Sequence, residues 1–149
     1  MNTYMSLIII ILSLCVLFVI GIVILIWAKK RKPDELDLME GRDFEIFCAD
    51  LLRKRGFLEV EVTKGSGDYG IDILAEKDGV TYAIQCKRYT APVGVKAVQE
   101  TYAGRDYYDR MVGAVLTNQY FTAPAVEAAK KLKILLWDRG YLESMMEEC

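Results

Sequence analysis

The sequence predicts one mixed α/β domain carried behind a single membrane-spanning helix. Three observations point there. Residues 7–27, LIIIILSLCVLFVIGIVILIW, contain no charged side chain. Asp78-Gly79, a strong two-residue hairpin signal, joins the apolar runs Ile71 to Glu76 and Val80 to Tyr89. A strand, helix, strand order from Val80 to Leu116 then calls for a crossover to a parallel neighbour. With 149 residues in total there is room for one core behind the helix, not two.

As a helix, the uncharged segment would be about 31 Å long, against a hydrocarbon core of about 30 Å. A cleaved signal peptide would have a shorter apolar core and basic residues in front of it. Here the basic residues Lys29, Lys30, Arg31 and Lys32 come behind it. The positive-inside rule therefore expects a single-pass protein of the inner or cytoplasmic membrane, with its N-terminus outside and its C-terminal domain in the cytoplasm. Residues 1–28 read as this anchor, 29–40 as a basic then acidic linker, 41–142 as the folded domain and 143–149 as an acidic tail.

Composition removes several chemistries. There is no histidine, which excludes Ser-His-Asp and Cys-His nucleophile systems and every zinc site that uses imidazole. The four cysteines, Cys15, Cys48, Cys86 and Cys149, form no C-x-x-C pair and read as reduced thiols. The net charge of −2 hides a polarity: residues 34–86 carry 6 basic and 13 acidic groups, whereas residues 87–133 carry 8 basic and 4 acidic ones. A nucleic-acid partner is therefore expected through a local patch and not through a globally basic surface.

Along the domain, Phe44, Phe47, Cys48, Leu51 and Leu52 recur at the spacing of one buried helix face, which Gly56 terminates. Glu45 falls at the edge of that stripe. Leu58 to Thr63 alternates apolar and polar residues as a half-buried strand, with Leu58, Val60 and Val62 inward. The glycine-rich loop KGSGDYG, residues 64–70, follows. Val95 to Tyr108 reads as a helix with Val95, Val98 and Tyr102 inward, and Met111 to Leu116 as a buried strand. Ala123 to Leu132 reads as a helix capped by Thr122 with Pro124 in its first turn, and Ile134 to Trp137 as a last strand.

With Asp78 and Gly79 as the loop, opposed residues of the hairpin have numbers summing to 157. Ile73 then faces Ile84, Ala75 faces Tyr82 and Ile71 faces Cys86, which makes one face apolar. On the other face Asp72 opposes Gln85, and Lys87 projects beside Gln85 opposite Gly70. A carboxylate, an amide oxygen and an ammonium converge there. Such oxygens can bind Mg²⁺, and the lysine stands where a phosphate or its attacking water would lie. A cross-strand polar pair on a solvated sheet face is the plainer account of the same residues.

Five segments decide between the two: the helix GRDFEIFCADLLRKRGF, the segment GSGDYGIDILAEKDG, the strand YAIQCKRY, the segment VGAVLTNQYFTAPAVEAAKKL and the closing ILLWDRGYL. Together they resemble the Mrr-type restriction endonuclease domain, a branch of the PD-(D/E)XK nuclease superfamily. The resemblance implies a restriction-endonuclease-like mixed β-sheet flanked by helices and an endodeoxyribonuclease that uses Mg²⁺ or Mn²⁺, in restriction or defence against foreign DNA. By that likeness Glu45, Asp72, Gln85 and Lys87 would be the catalytic set, with Asp72 and Gln85 ligating the metal. Gln85 replaces the acidic residue of the general superfamily pattern, Ile71 stands where that pattern has proline, and Tyr69 stands where glycine is expected. Lys64, Arg88 and Lys96 are the expected DNA contacts, and cutting both strands would call for a homodimer. The competing expectation is a membrane-tethered nucleic-acid-binding or scaffolding module that keeps the fold without turnover.

Overall fold

The computed structural model describes residues 12–21, 35–65, 67 and 69–147. The chain divides into two compact units after Asp34. In the first unit, residues 12–21 are helical (α1). The spanning segment expected over residues 7–27 lies partly outside the described residues. Among the described residues no helix is long and apolar enough to cross a membrane.

The second unit runs α2 (Glu35–Leu38), α3 (Gly41–Lys54), β1 (Leu58–Val62), β2 (Ile73–Lys77), β3 (Val80–Lys87), α4 (Val95–Tyr107), β4 (Val112–Thr117), α5 (Ala123–Leu132), β5 (Ile134–Trp137) and α6 (Arg139–Glu147). The strands form one sheet in the order β1-β2-β3-β4-β5. The first three are antiparallel, whereas β3, β4 and β5 run parallel. Both faces are covered. Phe44, Cys48 and Leu52 of α3, with Leu142 and Met145 of α6, pack on Ile73, Ile84, Ala114 and Leu116. Ala97 and Val98 of α4, with Ala125 and Ala129 of α5, pack on Val115 and Ile134.

The hairpin register is the expected one: Ile73 pairs with Ile84, Ala75 with Tyr82 and Lys77 with Val80. Its turn residues Asp78 and Gly79 both take positive φ, 54° and 76°, which the tight two-residue loop requires. The ladder, however, stops at Ile73. The Asp72 N–H donates to the Ile84 carbonyl at 2.9 Å, one residue out of the register of the strands. That irregularity turns Ile71 to the opposite face, where it packs with Leu74 and Ala83 and does not face Cys86.

Several other expectations are corrected. Glu59 adopts φ 49°, and the β1–β2 register shifts between Leu58 and Glu61, so Leu58 is exposed and not inward. In α4 the buried residues are Ala97, Val98, Thr101 and Gly104, whereas Val95 and Tyr102 are exposed. The domain also extends beyond 41–142. Leu36 of α2 is buried, and Asp37 accepts from the Arg139 guanidinium at 2.9 and 3.1 Å and from the Asn118 amide at 2.8 Å. Residues 35–40 are therefore part of the fold and not linker. Met145 is likewise buried in α6, which takes residues 143–147 out of the expected tail.

Helix α3 ends as its sequence foretold. Gly56 takes φ 82°, its N–H donates to the Arg53 carbonyl, and the Phe57 N–H donates to the Leu52 carbonyl. This pair of bonds satisfies the last carbonyls of the helix and returns Phe57 to the core beside Leu52. The return sets α3 across the sheet, with Glu45 near its N-terminal end.

Candidate active site

On the α4 side, Gln85 and Lys87 alternate with Cys86, which points toward α3. The Asp72 carboxylate reaches this part of β3 because of the break in the ladder, and its Oδ2 accepts the Cys86 backbone N–H at 2.7 Å. Glu45 of α3 pairs with Arg42 at 2.7 Å, and Arg42 also donates to the Thr63 carbonyl at 3.0 Å, which ties the start of α3 to the end of β1. These segments enclose one open cleft of about 560 Å³ lined by Glu45, Asp72, Gln85, Lys87, Arg88 and Glu100, among others. All four expected catalytic residues therefore meet in it.

The polar residues are not on a solvated face, as the cross-strand account has it. Gln85 is buried under α4 and only 1% exposed. Its Nε2 donates to Glu100 Oε2 at 3.0 Å, and its Oε1 lies 3.3 Å from the Thr101 hydroxyl. Lys87 Nζ donates to the same Glu100 oxygen at 3.1 Å, and Lys96 stands 3.6 Å from the other one. Partial burial works against the Glu100 charge. Hydrogen bonds from Gln85 and Lys87 and the two lysine charges outweigh it and hold its carboxyl below the ordinary range. Glu100 escaped the sequence reading because the signal is not local: only the packing of α4 over β3 brings it to Gln-x-Lys. The Lys96–Glu100 spacing on α4 hints at an ion pair and at nothing more.

Gly70 keeps this corner open. It has φ +77°, and a Cβ there would meet Gln85 Nε2 at 3.1 Å and the Glu100 Cβ at 3.3 Å. Neighbouring Tyr69 takes φ 50° as a non-glycine residue, so the expected glycine is replaced without changing the left-handed turn. Its exposed ring stacks on Tyr107 with centroids 3.7 Å apart. The Cys86 thiol is pushed well up, by its hydrogen bond with Cys48 first and by burial next, with the Asp72 and Glu45 charges adding to the effect. It is thus protonated at neutral pH and no nucleophile.

The three expected DNA contacts separate. Arg88 lines the cleft, and its Nε is buried without a hydrogen-bond partner among the described residues. Lys96 lines an adjoining hollow with Lys87, Tyr89 and Glu100. Lys64 is exposed at the start of the glycine loop and is not among the residues that line either space.

As potential cation ligands, the donors here are carboxylates and an amide, all oxygen donors of the kind Mg²⁺ and Mn²⁺ take. Among the described residues no three Asp, Glu or Cys side chains are grouped to hold an ion. Asp72 fits the role directly. Gln85 fits it only with its amide turned, since the oxygen faces Thr101 and the nitrogen faces Glu100.

A five-stranded mixed sheet that sets an Asp beside a Gln-x-Lys strand, under a helix on each face, defines a restriction-endonuclease-like fold. Residues 36–146 match the Mrr_cat family, restriction endonuclease, and the chain belongs to that family. Among solved structures it is 26% identical to the protein of unknown function AF1548, with a TM-score of 0.59 over 70% of this chain and 64% of that one. It is 18% identical to AspBHI, a DNA modification-dependent restriction endonuclease, with a TM-score of 0.54 over 71% of this chain and 30% of that one, a likeness of fold. The chain spans less than two thirds of the length of either. No curated protein matches it.

Proposed function

We propose that this domain hydrolyses DNA phosphodiester bonds with Mg²⁺ or Mn²⁺, in restriction or defence against foreign DNA, while residues 7–27 anchor it to the cytoplasmic membrane. The observation that carries the reading is the single cleft in which Glu45, Asp72, Gln85 and Lys87 meet from three separate segments of chain. Family membership supports it. A bound divalent cation supplies an acidified water and offsets the charge that builds on the phosphate. Asp72 and a turned Gln85 would hold the ion. Lys87 would orient the water or stabilise the transition state, and Glu45 would act through water or a second ion. Arg88 lines the cleft, and its guanidinium is a donor group suited to a DNA phosphate, with Lys96 and Lys64 further along the backbone. Cleavage of both strands would use a homodimer.

One observation favours a second reading, the membrane-tethered nucleic-acid-binding or scaffolding module: Glu100 already engages both Lys87 and Gln85. Nicking of supercoiled plasmid by the purified full chain decides between them. Hydrolysis that needs Mg²⁺ or Mn²⁺ and stops with chelator is the expected result. Binding of DNA without cutting under any divalent cation would leave the module. The topology has its own test. A reporter fused after Cys149 should be read in the cytoplasm, and detection on the far side, or a mature N-terminus near residue 30, would overturn the anchor.

A further inference from the structure

Gln85 leaves the site one carboxylate short of the superfamily pattern, and the structure holds a carboxylate where that deficit would be felt. Glu100 reaches Gln85 and Lys87 from α4, an element away from the hairpin, with one oxygen shared between them. We propose that Glu100 is the second carboxylate of the cation site and that Lys87 is its counter-ion until a divalent cation arrives. The inference rests on the metal-dependent reading above and adds a ligand to it.

The hydrogen-bond chemistry behind Gln85 makes the exchange feasible. The Thr101 hydroxyl lies 2.9 Å from the Ala97 carbonyl and 3.3 Å from Gln85 Oε1. It has one proton and can donate to one of these at a time, to Gln85 Oε1 as the amide stands or, by rotation of the hydroxyl, back to the Ala97 carbonyl. With the proton committed there, the hydroxyl still has lone pairs to accept from an amide N–H₂. Turning the Gln85 amide by half a revolution would therefore keep Thr101 satisfied, with Gln85 now the donor.

The same turn would put Gln85 Oε1 toward Glu100 Oε2, where the amide nitrogen now sits at 3.0 Å. Two oxygens cannot face each other at that range without a cation between them, because both carry negative partial or full charge and neither donates. Without a divalent ion the amide must show its nitrogen to Glu100; with one it can show its oxygen. The amide orientation thus reports on occupancy, and Glu100 supplies the negative charge that a neutral Gln85 does not. Gly70 leaves room for the turn, since any larger residue would place its Cβ 3.1 Å from the amide nitrogen.

The test is Mn²⁺ calorimetry on the detergent-purified full chain without DNA, comparing wild type with Glu100→Gln, Gln85→Glu and the double variant Gln85→Glu/Glu100→Gln. Glu100→Gln keeps the shape, loses the charge, and should weaken Mn²⁺ binding by about tenfold or more. The double variant moves the carboxylate from α4 to β3 and should restore affinity to near the wild-type value. Gln85→Glu alone should bind more tightly than wild type and gain more thermal stability on addition of Mn²⁺. Wild-type affinity in Glu100→Gln, or a double variant as weak as Glu100→Gln, would overturn the assignment of Glu100. A folded wild-type protein that takes up no Mn²⁺ would instead overturn the metal-dependent reading itself.

Discussion

Lys87→Ala should lower DNA cleavage by roughly 10²–10³-fold, the usual cost of removing one preorganised donor aimed at developing charge, while the protein keeps or tightens its cation affinity. The side chain is only 19% exposed, with its ammonium 3.1 Å from Glu100, so burial confines it to the cleft before substrate arrives. That preorganisation matters because a free lysine side chain would have to lose its rotamer freedom in the transition state instead. An ammonium donates hydrogen bonds and cannot ligate a cation, so deletion separates chemistry from metal binding. Plasmid nicking at saturating Mg²⁺ and Mn²⁺ calorimetry on the same preparation check both halves. Loss of cation binding in parallel with cleavage would mean that the substitution had damaged the site and not removed a catalytic group.

Gly104→Ala should destabilise the domain by about 1–3 kcal/mol, the range for overpacking a filled core, although alanine is otherwise the better helix former. A Cβ at this position would lie 2.4 Å from Ile71 Cγ1 and 2.8 Å from the Tyr69 carbonyl oxygen. The second neighbour is backbone and cannot swing aside. Relief requires α4 to lift from the sheet or the glycine loop to move, and both carry groups of the cleft: Glu100 and Thr101 on one, Gly70 and Asp72 on the other. Cleavage should therefore fall further than the loss of folded protein explains. Urea unfolding followed by nicking under conditions where the variant is fully folded would show it, and an unchanged midpoint would contradict the close packing of α4.

The sheet was legible in the sequence wherever one strand decides its own pattern. Asp78-Gly79 fixes the loop, and the apolar alternation of Ile73, Ala75, Tyr82 and Ile84 leaves one register that buries them. Asp72 lines the cleft, but not by the route its register implied. It reaches β3 not as a ladder partner of Gln85 but from a break in the ladder, through the Cys86 N–H. Such breaks depend on what packs behind the strand, here Ile71 against Leu74 and Ala83, and no local period records that.

Helix α4 misled for a related reason. Its inner face is made of Ala97, Val98, Thr101 and Gly104, small residues chosen for close approach, while the large Val95 and Tyr102 point outward. A search for bulky apolar spacing selects the wrong side of such a helix, and Glu100 goes unnoticed with it. The ends of the domain were hidden by composition. Asp37 read as a charge of a linker, yet it pairs with Arg139 across 102 residues of sequence and closes the fold around Asn118.

The proposed hydrolysis depends most directly on Asp72 as the anionic anchor of the cleft. Asn at this position keeps the size of the side chain and an oxygen able to accept the Cys86 N–H, but it lacks the charge. The decisive measurement is the rate of Mg²⁺-dependent nicking of supercoiled plasmid by Asp72→Asn beside wild type, with thermal unfolding to confirm that both are folded. The expected result is a folded variant whose nicking falls by roughly a hundredfold or more, in line with the loss of a charged group acting on the transition state. A folded Asp72→Asn protein that nicks at the wild-type rate would contradict it and remove this cleft from the reaction.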